Sequence, residues 1–134
     1  MNSEHLRDAS EIVAAEWRRI LDMSERRIDP AIPRAAHADP RLRELFPMVS
    51  HGALYFSRCT RYPWTHDVAG LFPRPGGFHV FRHSDKTVLG EPDTVREAVE
   101  LIVADLPDGC GPAVDGTPDD LVRAPVSPAR RGPA

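Results

Sequence analysis

At 134 residues, 41% of them hydrophobic and 28% charged, the chain is sized for one soluble domain around a single core. Folding at this length removes roughly two-thirds of the unfolded surface from water, so neither metal nor disulfide staples are needed. A formal net charge of -3 and the lack of any long apolar run exclude a basic nucleic-acid binder and a membrane-spanning helix as expectations.

Met1 to Ser10 is charged, unlike the apolar stretch of an export signal, and only two cysteines occur, Cys59 and Cys110. The expectation is a cytoplasmic protein with two reduced thiols. Lys86 is the single lysine, Asn2 the single asparagine, and glutamine is absent, a skew of the kind that a high-GC genome produces.

Leu6, Ala9, Ile12, Val13, Trp17, Ile20 and Leu21 recur at helical steps, which predicts a helix over about residues 4–23 with Ser3 as its cap. Its charged side, with Arg7, Asp8, Glu11 and Arg18, reads as solvated. Pro30 and Pro33 predict a bend. Asp39-Pro40 has the form of a cap followed by proline in the first helical position, so a short helix is expected from Pro40 to Phe46, stopped by Pro47.

Beyond the turn-like Ser50-His51-Gly52, residues Ala53 to Thr60 alternate, with Leu54, Phe56 and Arg58 on one side and Tyr55, Ser57 and Cys59 on the other. Val68 to Phe72, Phe78 to His83 and Thr87 to Gly90 are further strand candidates, separated by proline, glycine and polar turns. Thr94-Val95-Arg96-Glu97 fits a capping box, and Val95, Ala98, Val99, Ile102 and Leu106 continue it as an amphipathic helix.

The expected fold is α+β: an antiparallel sheet of three or four strands packed by an N-terminal and a C-terminal helix, with a short extra helix. One domain is expected over residues 1–121. Leu121 and Val122 can anchor a docked turn, and a flexible Pro/Arg-rich tail is expected over residues 122–134.

Six histidines raise the question of a metal, but no familiar ligand spacing occurs, and no metal is expected. His79 and His83 share a strand face yet lie four residues apart, about 13 Å at the usual rise and too far for one ion. A Cys-His-Asp hydrolase built on Cys59, with His51 or His66 as base and Asp67 behind it, is disfavoured. His66 and Asp67 are adjacent and point apart in extended chain, and Cys59 falls within a strand rather than at an activating helix N-terminus.

The polar and aromatic density between Ser50 and Asp67 carries more weight. A sheet face left open by the helices gathers Tyr55, Ser57, Arg58, Cys59, Thr60 and Trp64 as candidate binding residues, with Arg61 and Tyr62 nearby. His51, His66 and Asp67 are the candidate catalytic residues, since histidine moves protons at neutral pH and a carboxylate tunes it.

The motifs Leu42-Arg43-Glu44-Leu45-Phe46-Pro47, Ser50-His51-Gly52, Phe56-Ser57-Arg58-Cys59-Thr60, Leu89-Gly90-Glu91, Glu97-Ala98-Val99 and Leu106 to Ala113, followed by Gly116-Thr117 and Asp120-Leu121, together resemble a family. It is a family of small actinobacterial proteins of unknown domain function labelled as natural product biosynthesis proteins. The resemblance spans about residues 10–121 and implies a pathway class without a mechanism.

Two classes of function then use the same face. In one, a cofactor-free tailoring enzyme of cyclase, dehydratase or isomerase type works by His/Asp acid–base chemistry, with Arg58 holding developing negative charge. In the other, a non-catalytic protein binds a small-molecule or peptide intermediate, a carrier protein or a partner enzyme, or protects the producer by sequestering the product. No cofactor, nucleic acid or membrane partner is expected.

Overall fold

The computed structural model describes residues 9–123, so Ser3, the first residues of the predicted N-terminal helix and most of the predicted tail lie outside the described residues. Three helical segments come first: α1 (Ala9–Leu21), α2 (Ala31–Ala38) and α3 (Pro40–Arg43). Five strands follow: β1 (Phe46–Ser50), β2 (Ala53–Ser57), β3 (Gly70–Arg74), β4 (Gly77–Arg82) and β5 (Thr87–Gly90). Then come α4 (Val95–Ala104) and α5 (Pro118–Arg123). The strands form one antiparallel sheet in sequence order, an α+β fold with one strand more than the highest expected count.

The additional strand is β1, where the sequence predicts the end of a helix. Asp39 caps α3 by accepting from the N–H groups of Arg41 and Leu42, but the helix stops at Arg43. Phe46 to Ser50 instead pair with Ser57 to Ala53. Pro47 is tolerated because β1 is an edge strand, where a missing N–H costs least. Pro33 likewise enters α2 rather than bending the chain: it is the third helical residue, and first-turn N–H groups have no intrahelical acceptor to lose.

Alternation along the strands sorts the side chains onto two faces. Leu54, Phe56, Leu71 and Val80 point to the helices and join Val13, Trp17, Ile32, Leu42, Ala98 and Ile102 in the main core, with half-buried Val49 packed against it. Helix α1 packs on β1, α4 on β3, β4 and β5, and α2 bridges α1 to α4. The Trp17 ring lies 6.3 Å from that of Phe56 and 5.1 Å from His37, and its Nε1 donates to the Leu45 carbonyl at 3.1 Å. Burial, together with the Arg43 charge, lowers the His37 pKa.

Thr94 caps α4 as predicted, accepting from the Glu97 N–H at 3.1 Å. At the far end of α4, Asp105 brings negative charge to a helix C-terminus, which the helix dipole disfavours. Arg82 of β4 offsets it with contacts of 2.6 Å to both Asp105 oxygens, and it also grips Asp85 in the β4–β5 turn at 2.9 Å. Arg82 holds the Asp85 carboxyl down at about 2. That contribution is present above the ordinary aspartate range and is lost as pH falls towards about 2.

Candidate functional site

The face opposite the helices carries Met48 of β1, Tyr55 of β2, Gly70 of β3 and Phe81 of β4. Strand register sets these four side by side: Met48 pairs with Tyr55, Gly70 pairs with Phe81, and Leu54 opposite Leu71 brings Tyr55 alongside Gly70. They floor a cavity of about 530 Å³, within the range of small-molecule sites. Gly70 belongs there for a steric reason. A Cβ at this position would lie 2.9 Å from the Leu54 carbonyl oxygen and 3.0 Å from Cδ1 of Tyr55, whose ring lies across the glycine.

From this floor a chain of rings runs over the sheet. Tyr55 meets Phe72 edge-on at 5.5 Å, Phe72 meets Phe81 at 6.3 Å, Phe81 meets His83 at 5.8 Å, and His83 meets His66 at 5.9 Å. His79 stacks on the other flank of Phe81, with centroids 5.9 Å apart. Offset and edge-on contacts of this kind stiffen a sheet face beyond what area burial alone supplies. Burial raises the Tyr55 phenol pKa, so the floor presents a neutral hydroxyl.

One wall is the connection between β2 and β3, which contributes Trp64, Thr65, His66 and Val68. Its shape is fixed by Ser57, which is wholly buried. Ser57 Oγ accepts from the N–H groups of Cys59 and Thr65, each at 3.1 Å, and donates to the Cys59 carbonyl at 2.7 Å. Thr65 Oγ1 accepts from the Arg58 N–H at 2.8 Å, and the Arg58 guanidinium closes the loop on both Asp67 oxygens at 3.3 and 2.8 Å.

The segment after α4 clamps the same loop from behind. Cys59 bridges Val114 in parallel, and Thr60 donates to Asp115 and accepts from the Gly116 N–H. Trp64 is held with φ at 57°, a conformation that L-residues rarely adopt, and its N–H donates to Arg61. Its indole Nε1 is buried with no acceptor among the described residues. Glu16 and Arg19 of α1, paired at 2.6 Å, stand at the cavity's edge.

The sequence-predicted residues therefore divide into three groups. Tyr55, Trp64 and His66 line the cavity together. Ser57, Arg58, Cys59, Thr60 and Asp67 build its wall, with their hydrogen-bonding atoms engaged inside the chain. His51 stands apart, exposed at the tip of the β1–β2 hairpin, with its Nδ1 3.0 Å from Ser50 Oγ. Asp67 is thus bonded to Arg58 rather than to either candidate imidazole, and no three-membered arrangement of His51, His66 and Asp67 forms.

Met48, Gly70, Phe81 and His83 are among the lining residues that the sequence reading did not single out. The alternation of Phe78 to His83 already sets His79, Phe81 and His83 on one face, and that signal was available. The other two required the register of β1 and β3.

Cys59 and Cys110 are both free thiols. Burial pushes the Cys110 thiol up despite the nearby Arg58 charge, which disfavours the nucleophilic thiolate. Among the described residues, no group of three or more His, Cys, Asp or Glu is placed to hold a metal ion, and no helix is long and apolar enough to cross a membrane.

His51 has φ at 52° and Gly52 at 80°, the backbone of a two-residue type I′ hairpin, for which asparagine is the favoured first residue. His51→Asn is expected to stabilise the fold by up to about 1 kcal/mol in urea unfolding and to leave ligand affinity unchanged. A loss of affinity in this variant would assign the imidazole a role that its position does not suggest.

These features define a small α+β protein whose five-stranded antiparallel sheet keeps one aromatic face open to a cavity. The chain belongs to a family of unknown function, DUF6193, whose profile matches residues 11–117. Comparison with curated proteins and with solved structures finds no match.

Proposed function

We propose that this protein holds an apolar organic intermediate of a natural product pathway in the cavity on the open sheet face. The observation that carries the reading is the floor of Met48, Tyr55, Gly70 and Phe81, enclosing about 530 Å³. Aromatic and thioether surface supplies contact area for a hydrophobic skeleton, and few charged groups line the cavity. The pathway and the actinobacterial origin rest on the motif resemblance, and a cytoplasmic setting is in keeping with the two free thiols.

Holding is favoured over turnover because Asp67 and Arg58 spend their charges on each other. As a cofactor-free tailoring enzyme, the protein would rely on His66 for proton movement, with His83 beside it and, among the described residues, no carboxylate bonded to the ring. That second reading is kept by the presence of both imidazoles in the cavity lining. A sequestering, self-protective role would use the same cavity, whereas a peptide or partner protein would add to the exposed edge of β1 or β5.

Nile red, a neutral apolar fluorophore, tests the reading. Saturable one-to-one binding is expected, weakened at least about tenfold by Phe81→Arg, which sets a charge in the floor. Tyr62→Ser is the control, because Tyr62 is 74% exposed and lies outside the lining. Circular dichroism verifies folding of both variants. Absence of saturable binding to the folded wild-type protein overturns the proposal.

A further inference from the structure

We propose that the cavity selects a planar aromatic ligand bearing an anionic oxygen group, a carboxylate or phenolate, which lodges between His66 and His83. This rests on the ligand-holding role proposed above and specifies the chemistry of the ligand. The two imidazoles come from different segments, the β2–β3 connection and the start of the β4–β5 turn. A backbone bond from the Ser84 N–H to the His66 carbonyl, 2.9 Å long, ties those segments together. The ring centroids are thereby held 5.9 Å apart with planes inclined at 51°.

Charges around the cavity are otherwise matched. Arg19 is paired with Glu16, and those two are the remaining ionised side chains of the lining. Asp67, next to His66, is bound to Arg58; Asp85, two residues from His83, is bound to Arg82. Neither the His66 nor the His83 ring has a side-chain hydrogen-bond or ion-pair partner among the described residues, and each exposed ring offers an N–H donor at the cavity. Hydrogen bonds from an imidazole N–H to an ionised oxygen are about twice as strong as those between neutral groups.

The floor sets the rest of the ligand. Tyr55 and Phe81 lie in one cross-strand row with only Gly70 between them, and Gly70 contributes no side chain. A flat ring system resting on this row has its edge towards His83, which touches Phe81 at 5.8 Å. An acidic group on that edge reaches both imidazoles without leaving the aromatic surface.

Naphthoate and the neutral naphthalenemethanol, which share a ring system and differ in the head group, separate the possibilities by isothermal titration. Naphthoate is expected to bind about tenfold more tightly to the wild-type protein. In the double variant His66→Gln, His83→Gln, that preference should fall to within about twofold, chiefly through loss of naphthoate affinity. Equal affinity of the two probes for the wild-type protein, or a preference that survives in the double variant, overturns the anionic head group and leaves the pocket standing. Failure of both probes to bind removes the ligand-holding role itself.

Discussion

Trp17→Ala is expected to destabilise the protein by about 3–5 kcal/mol, a large share of the roughly 5–15 kcal/mol that holds a domain of this size. The ring is almost wholly buried between α1 and β2, in contact with Phe56 and His37. Its removal leaves a void at the centre of the core and strips the Leu45 carbonyl of its donor. That carbonyl lies at the junction of α3 and β1, so the edge strand should loosen with the helix. Trp17→Phe separates the two contributions: it keeps much of the volume and loses the hydrogen bond, at a cost of about 1–3 kcal/mol. Urea unfolding of both variants checks the expectation, and a Trp17→Ala cost below that of Trp17→Phe contradicts it.

The second large effect is Ser57→Ala. One hydroxyl oxygen takes two N–H groups and gives its proton to a carbonyl, so a methyl group leaves three backbone groups without their partner. With Cys59 buried and Thr65 half-buried, the expected cost is about 2–4 kcal/mol. It should be localised, because the bonds hold the loop that carries Trp64, Thr65 and His66. Amide exchange at Cys59 and Thr65 should accelerate well before the β3–β4 ladder responds. Nile red affinity should fall at least about tenfold even where the protein remains folded. Unchanged affinity and exchange in Ser57→Ala would mean that the wall does not depend on this hydroxyl.

How much of this was legible in the sequence depended on whether the signal was local. The Thr94 cap, the Asp39 cap and the strand from Thr87 to Gly90 are written in side chains within a few residues of one another, and each stands where the sequence puts it. Pro47 and Pro33 misled for a common reason. A proline is costly only where its missing N–H had an acceptor, and neither an edge strand nor a first helical turn supplies one.

The candidate site divides in the same way. Tyr55, Trp64 and His66 stand out from a single polar and aromatic stretch, whereas Met48 and Gly70 reach the floor beside Phe81 only through strand pairing. Asp67 looked like the partner of a histidine because it follows one in sequence. The fold turns it to Arg58, nine residues away, since the loop returns on itself around Ser57.

The central claim is that an organic guest rests on the open sheet face. Titration of isotopically labelled protein with naphthoate, followed by nuclear magnetic resonance, tests it most directly. The account predicts saturable shifts at the Met48 methyl group, at the amides of Tyr55, Gly70 and Phe81, and at the His66 and His83 rings. Shifts confined to the groove between α1 and Ala113, or scattered over the helical face with the Met48 to Phe81 row silent, would contradict it.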